Sequence, residues 1–319
     1  MGSGIEPPAV TACLQALTGE TWTLEGVVAR RDNSRIYRAR CGSRSAAIKE
    51  CFANPTKTPD CEAAVREFMA LTTLAERTPE AGIEPLAPIP LILCREHAVY
   101  AMTWASGRTA TELILAPSTE HKRAAELGEF AGGWLRRFHA CRALPVRQND
   151  FAAKLGFVRD LAQKAGGREP MLSRAAGILV ERASNAAAVP MPASWVHGDM
   201  KSDNLLMDGD NVTGLDVQLV DESTVAYDLA PFLNHLCLLR WSPRGLWQRQ
   251  KLDRMATGFL RAYSPESEKW TLPLWWLRTY LLMQIVVRTT TSARVHALAA
   301  RWPARRELAS AIDQLEKFP

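Results

Sequence analysis

The stretch from Trp195 to Asp216, WVHGDMKSDNLLMDGDNVTGLD, limits what this chain can fold into more than any other. Two short apolar runs, NLLMD and VTGLD, flank GDN, which is turn chemistry, so the segment reads as a β-hairpin. Folded about Asp210, it sets Asn204 opposite Asp216. An amide oxygen and a carboxylate paired in this way are hard ligands of the kind Mg²⁺ accepts, with phosphate oxygens and water completing an octahedron. Asp199, on the loop just before the hairpin, can take a proton from an attacking hydroxyl. Positioning and charge neutralisation are nearly all that phosphoryl transfer asks of a protein, and Asp199, Asn204 and Asp216 fit that one geometry. Asp203, Asp208 and Asp210 read as solvated turn residues.

The N-terminal third reads mostly as strands. TWTLEGVVAR, SRIYRAR and SAAIKEC are short apolar or alternating runs between RDN and CGSR turns. TPDCEAAVREFMALTTLAER then carries Ala64, Phe68, Leu71 and Ala75 at helical spacing, with Thr58 placed to cap and Pro59 in the first turn. PLILC and AVYAMTW flank an REH turn and complete a five-stranded antiparallel sheet with one helix. After ASGRT the texture is helical, in TATELILA, RAAELGEFAGGWLRRFHACRAL, KLGFVRDLAQKA and LSRAAGILVERASNAA, and again from Tyr227 to the end. The expected fold class is α+β and bilobal. Residues 1–103 form a small lobe and residues 104–319 a larger, mainly helical one, which suggests a ligand cleft between them.

Composition removes several classes of function. No apolar run reaches the roughly 18 residues of a membrane span. MGSG opens the chain without a secretory apolar segment, and Glu6 breaks the myristoylation pattern, so no lipid anchor is expected. The seven cysteines are scattered and free of CxxC pairs, which favours reduced thiols in a cytoplasm. The net charge of +5 is too diffuse for a nucleic-acid stripe.

HGDMKSDN, His197 to Asn204, resembles the H-G-D-x-x-x-x-N catalytic loop of aminoglycoside phosphotransferases and choline-kinase-like enzymes. GLD, Gly214 to Asp216, resembles their metal-binding motif, and YDLAPFL resembles the D-L-A that opens the next helix. The resemblance implies a protein-kinase-like fold, with ATP or GTP as phosphoryl donor and Mg²⁺ as cofactor. It makes Asp199 the catalytic base, Asn204 and Asp216 the metal ligands, His197 a brace for the loop and Asp228 a helix anchor. Two departures stand out, Gln218 where the family often has an acidic residue and Ser223 to Val225 where it often has Gly-Asp-Pro. Lys201 falls where protein kinases carry the lysine of D-L-K, so it reaches the γ-phosphate or stands solvated.

On the nucleotide side, the kinase plan pairs Lys49 with the α- and β-phosphates and with a helix glutamate. Glu67 shares the inward face of its helix with Ala63, Ala64, Ala70, Leu71 and Leu74, whereas Glu62 falls in the N-terminal turn. No GxGxxG occurs, which leaves ARRDNSRIYR as the phosphate loop, with donors from Asn33 and Ser34. YAMTW resembles the hinge whose backbone around Met102 to Trp104 bonds adenine, although both side chains also suit a core.

The expected activity is transfer of a γ-phosphoryl group to a hydroxyl of a small molecule. His235, Arg240 and Arg288 are the acceptor-side candidates among C-terminal helices rich in tryptophan. A polycationic aminoglycoside needs a pocket of carboxylates, and the C-terminal region is net basic, so a sugar or another neutral or anionic compound fits the charge better. An aminoglycoside or an amino alcohol such as choline is the alternative. A protein kinase is disfavoured, because D-F-G and A-P-E are missing and Asp228, at the next helix, comes only 12 positions after Asp216. A non-catalytic nucleotide-binding regulator is disfavoured by the intact Lys49, Asp199, Asn204 and Asp216.

Overall fold

Residues that alternate along the N-terminal runs pair as antiparallel strands, and the rest of the chain is built on helices. The computed structural model describes residues 8–16, 21–53, 57–80, 85–164, 169–219, 222–291 and 295–318. MGSG and Glu6, which bore on the lipid anchor, lie outside them. The chain begins α1 (Pro8–Ala16), β1 (Thr23–Arg30), β2 (Ser34–Cys41), β3 (Arg44–Cys51), α2 (Cys61–Glu80), β4 (Pro90–Cys94) and β5 (Val99–Thr103). It continues with β6 (Arg108–Thr109), α3 (Ala110–Ile114), α4 (His121–Ala140), β7 (Leu144–Arg147), α5 (Leu155–Lys164), α6 (Pro170–Ala188) and β8 (Met191–Trp195). Then come β9 (Leu205–Asp208), β10 (Asn211–Gly214), β11 (Glu222–Thr224), α7 (Ala226–Leu239), α8 (Arg249–Tyr263), α9 (Thr271–Thr291) and α10 (Val295–Leu315). The class is α+β, as expected.

Contacts divide these residues into two units. One is Met1–Arg108 with Leu206–Gln218, and the other is Thr109–Leu205 with Leu219–Pro319. The β9–β10 hairpin therefore groups with the N-terminal sheet, although the sequence reading placed it in the second lobe.

In the first unit, five antiparallel strands run in the order β1-β2-β3-β5-β4. Ala39, Ile48, Val99 and Ala101 bury one face of this sheet against Val10, Cys13 and Leu14 of α1. That helix has nine residues. Isolated helices below about 12–15 residues are marginal in water, so α1 owes its existence to the sheet and left no readable signal of its own. The cap of α2 also differs from expectation. Asp60 Oδ1, not Thr58, accepts from the Ala63 amide at 2.9 Å, because Pro59 is held in an extended bridge with Phe52 before the helix starts. Gly209 takes φ +63° in the two-residue loop between β9 and β10, the backbone such a loop favours.

In the second unit, α4 and α8 approach until backbone touches backbone. A Cβ added to Gly128 would lie 2.1 Å from the Met255 carbonyl oxygen, and one on Gly258 would lie 2.3 Å from that of Ala125. Tryptophans do core work nearby: Trp276 stacks on Phe151 with ring centroids 4.1 Å apart and donates its indole N–H to Leu179 O. The short strands β7, β8 and β11 form a separate sheet whose central strand, β8, leads into the HGD loop.

Gly128→Ala is expected to destabilise the protein by about 1–3 kcal/mol through overpacking. Gly177→Ala, in α6 with nothing within 4 Å of the added carbon, is expected to be neutral or stabilising by about 0.5–1 kcal/mol. Thermal unfolding of both variants checks this, and the reverse ranking contradicts the close helix approach.

Candidate active site

Lys49 sits mid-strand in β3, opposite Ile36 of β2 and Tyr100 of β5, and only 4% of it is exposed. Its Nζ lies 2.7 Å from Glu67 Oε2 and 2.8 Å from Asp216 Oδ1. Tyr100 Oη donates to the same Glu67 oxygen at 2.7 Å, and Arg31 Nη1 lies 3.2 Å from Asp216 Oδ2. Burial alone would lower the lysine's pKa, but the Asp216 and Glu67 carboxylates outweigh it and hold the ammonium charged well above its ordinary range. Glu67 is thus the helix glutamate that meets Lys49, while Glu62 faces solvent beside Arg66. Arg31, which sequence reasoning passed over, joins them at a small cavity of about 40 Å³ also lined by Met102 and Tyr100.

The other nucleotide-side candidates are less available. Ser34 is buried at the start of β2 and its carbonyl accepts from the Arg31 amide at 2.8 Å. Asn33 is exposed, with its carbonyl taken by the Phe52 amide. The Trp104 amide donates to Ser45 O at 3.2 Å and the Thr103 amide to Ile89 O at 2.8 Å, so two donors of the expected hinge are already engaged. The Trp104 ring instead carries the Arg38 guanidinium, 4.6 Å from its centroid.

In the second unit, a buried carboxylate organises the HGD loop. Asp228, at the start of α7, is fully buried and accepts from the His197 amide at 2.8 Å and the Gly198 amide at 3.4 Å. His139 Nε2 lies 3.0 Å from the same side chain, and His139 Nδ1 lies 2.8 Å from Tyr263 Oη. His197 is buried against Trp134 and Phe138. Asp199 follows on this loop. Its Oδ2 receives Lys201 Nζ at 2.5 Å and Asn204 Nδ2 at 2.9 Å, and Asn204 Nδ2 also donates to the Asp199 carbonyl. Among the described residues, Asp199 Oδ1 accepts no hydrogen bond. Asn204 Oδ1 is buried and likewise has no partner.

The hairpin places its two outer residues differently from the expectation. Asn204 closes a 3₁₀ turn, Ser202–Asn204, just before β9, and Asp216 adopts φ +54° beyond the end of β10. Both stand outside the paired strands, so their positions come from turn geometry rather than from the ladder.

The phosphotransferase enzyme family model, APH, matches residues 30–274. The chain belongs to this family. Solved structures share its protein-kinase-like fold at low identity. An aminoglycoside phosphotransferase candidate from Ralstonia eutropha JMP134 aligns with TM-score 0.65 and 17% identity over 97% of this chain and 98% of its own. A glucosamine kinase in complex with glucosamine, ADP and inorganic phosphate gives TM-score 0.61 and 16% identity over 96% and 84%. A choline/ethanolamine kinase family protein from Mesorhizobium loti gives 0.58 and 15% over 97% and 94%. Comparison with curated protein sequences finds no match.

The acceptor-side candidates of this phosphotransferase separate. His235 Nε2 lies 3.5 Å from Thr111 Oγ1 and 3.7 Å from the Asp203 carboxylate, and Thr111 Oγ1 is 2.6 Å from Ser202 Oγ, so His235 stands beside the HGD loop. Arg240 pairs with Asp253 on another side of α7, and Arg288 is exposed on α9. Among the described residues, none of the loop's hydrogen bonds or ion pairs involves Arg288. Among the described residues, no helix is long and apolar enough to cross a membrane.

Burial pushes the His235 pKa below its ordinary value, against the opposing pull of Asp203. The folded state then refuses a proton that the unfolded chain accepts, so stability falls as pH drops below about 6.5. Urea unfolding between about pH 7 and pH 5 should show that fall weakened in His235→Gln. Equal slopes in the two proteins would count against a neutral buried imidazole.

Proposed function

We propose that this phosphotransferase moves the γ-phosphoryl group of ATP (or GTP) to a hydroxyl of a small molecule, with Asp199 as the base. One observation carries the reading. Asp199 Oδ2 is clamped by Lys201 and Asn204 while Oδ1 is left with nothing to accept, on a loop whose amides are bound to buried Asp228. A carboxylate held by one oxygen and open at the other is set to receive a hydroxyl proton. As that proton leaves, the oxygen of the acceptor attacks phosphorus and the nucleoside diphosphate departs.

Lys49 is assigned to the donor phosphates, with Glu67 keeping it oriented and charged. Lys201 offers a second positive charge next to the base. Asn204 Oδ1, buried without a donor, suits a hard cation, and Asn204 and Asp216 are each assigned to Mg²⁺. When bound, that ion neutralises phosphate charge. Asn33, Ser34, Met102 and Trp104 remain assigned to the nucleotide only in part. The engaged amides of Thr103 and Trp104 favour a role for the Met102 side chain over backbone donors at Trp104.

For the acceptor, the groups beside Asp199 are Lys201, Ser202, Thr111 and His235, which is kept neutral by burial, with Asp203 the neighbouring carboxylate. A polycation would find too few acids here, so a sugar or saccharide-like hydroxyl compound is the proposed substrate class. Asp199→Asn should lower kcat by about 10²- to 10⁴-fold with an unchanged melting temperature. Equal turnover in the variant would remove Asp199 from the mechanism. A mass-spectrometric screen for ATP-dependent gain of one phosphoryl group should mark neutral sugars ahead of aminoglycosides. The opposite ranking would overturn the charge argument.

A further inference from the structure

A second cavity, of about 510 Å³, opens among the C-terminal helices, lined by Leu233, Leu260, Leu274, Trp275, Arg240 and Arg278, among others. It is not on the His235 side of α7. Leu233 and Cys237 line it four residues apart on one helix face, and His235 between them is turned about 200° from Leu233.

Arg278 is the unusual group in its wall, with 8% of the residue exposed. A desolvated guanidinium is costly unless an anion meets it, and burial does push this one's pKa down. Yet its bonding partners are neutral: Nε donates to Asn234 Oδ1 at 3.0 Å and Nη2 to Cys237 Sγ at 3.1 Å, with Trp275 stacked 4.0 Å from its carbon. Glu307, the buried carboxylate of the wall, is taken by the Trp241 indole at 2.8 Å and lies beyond ion-pair distance of Arg278. Among the described residues, Arg278 Nη1 has no acceptor. Arg240, in the same wall, pairs with Asp253 through Nη2, and among the described residues its Nη1 has no acceptor. Two guanidiniums thus bring unfilled N–H donors to one cavity, whose wall sets Leu233, Leu260, Leu274 and Trp275 beside Ser and Thr hydroxyls and the carboxylates of Glu268 and Glu307. A planar fork of this kind matches a carboxylate or phosphate.

We propose that this cavity binds an organic anion, a carboxylate or phosphate monoester on an apolar body, at a site separate from Asp199. The anionic head fills the open donors of Arg278 and Arg240, and the body packs on Trp275 and the leucines. α7 joins the site to the HGD loop, since its first turn carries Asp228 and its last two turns carry Asn234 and Cys237, which hold Arg278.

Isothermal titration of the full chain with benzoate and phenyl phosphate tests this, with benzamide as the neutral match and inorganic phosphate as a head without a body. At least one organic anion should bind at least about tenfold more tightly than benzamide and inorganic phosphate. The affinity should persist in Asp199→Asn, which separates this site from the catalytic reading. It should fall at least about tenfold in Arg278→Met, and equally in Ala256→Trp, which adds bulk at the cavity wall. Silence from both anions, equal binding of benzamide, equal binding of inorganic phosphate, or an affinity indifferent to Ala256→Trp would each overturn the proposal.

Discussion

Burying a carboxylate is expensive unless its oxygens are filled, and Asp228 fills both with donors that matter elsewhere. Its partners are two consecutive loop amides and the imidazole of His139. His139 is held in turn by Tyr263, and the two helices that carry these residues touch backbone to backbone through glycines. The loop bearing Asp199 is therefore not free to choose its path. Lys201 and Asn204 then need only close on a carboxylate whose backbone is already placed.

The first unit solves the opposite problem. Lys49 is a cation in the middle of a sheet, and burial works against its charge. Two carboxylates within 2.8 Å reverse that, and Arg31 on the far oxygen of Asp216 balances the cluster at two positive and two negative charges. Tyr100 fixes Glu67 by the oxygen that faces Lys49. A lysine so placed keeps its proton across the physiological range, which suits a phosphate-binding role and rules it out as a base.

The parts legible in the sequence are those written locally. The strands of the large sheet announce themselves by alternation and turn residues, and Glu67 by its place on an inward helix face. The HGD loop and its hairpin stand as one short unbroken string. What escaped depends on distant residues. His139 meets Asp228 across 89 positions and Tyr263 across 124, with no local pattern to betray either pair. Arg31 reaches Asp216 only once the hairpin folds into the same unit as the N-terminal sheet. Thr58 looked like a cap because the bridge that straightens Pro59 is tertiary. Trp104 looked like hinge chemistry because a ladder-engaged amide reads the same in a sequence as an open one.

The distribution of unfilled polar atoms separates frame from ligand position. His139 uses both ring nitrogens and Asp228 both oxygens, and each is structural. Asn204 spends its amide hydrogens on Asp199 but leaves Oδ1 buried without a donor. A buried polar atom without a partner costs about 1–3 kcal/mol, so a fold retains one where something else supplies the missing bond. The clamped half of Asn204 fixes where its open half stands, and Asp199 repeats the arrangement one atom at a time, Oδ2 held and Oδ1 open. Rigid on one side and unsatisfied on the other, these two side chains are the pair that the proposed reading assigns to a hydroxyl and a cation.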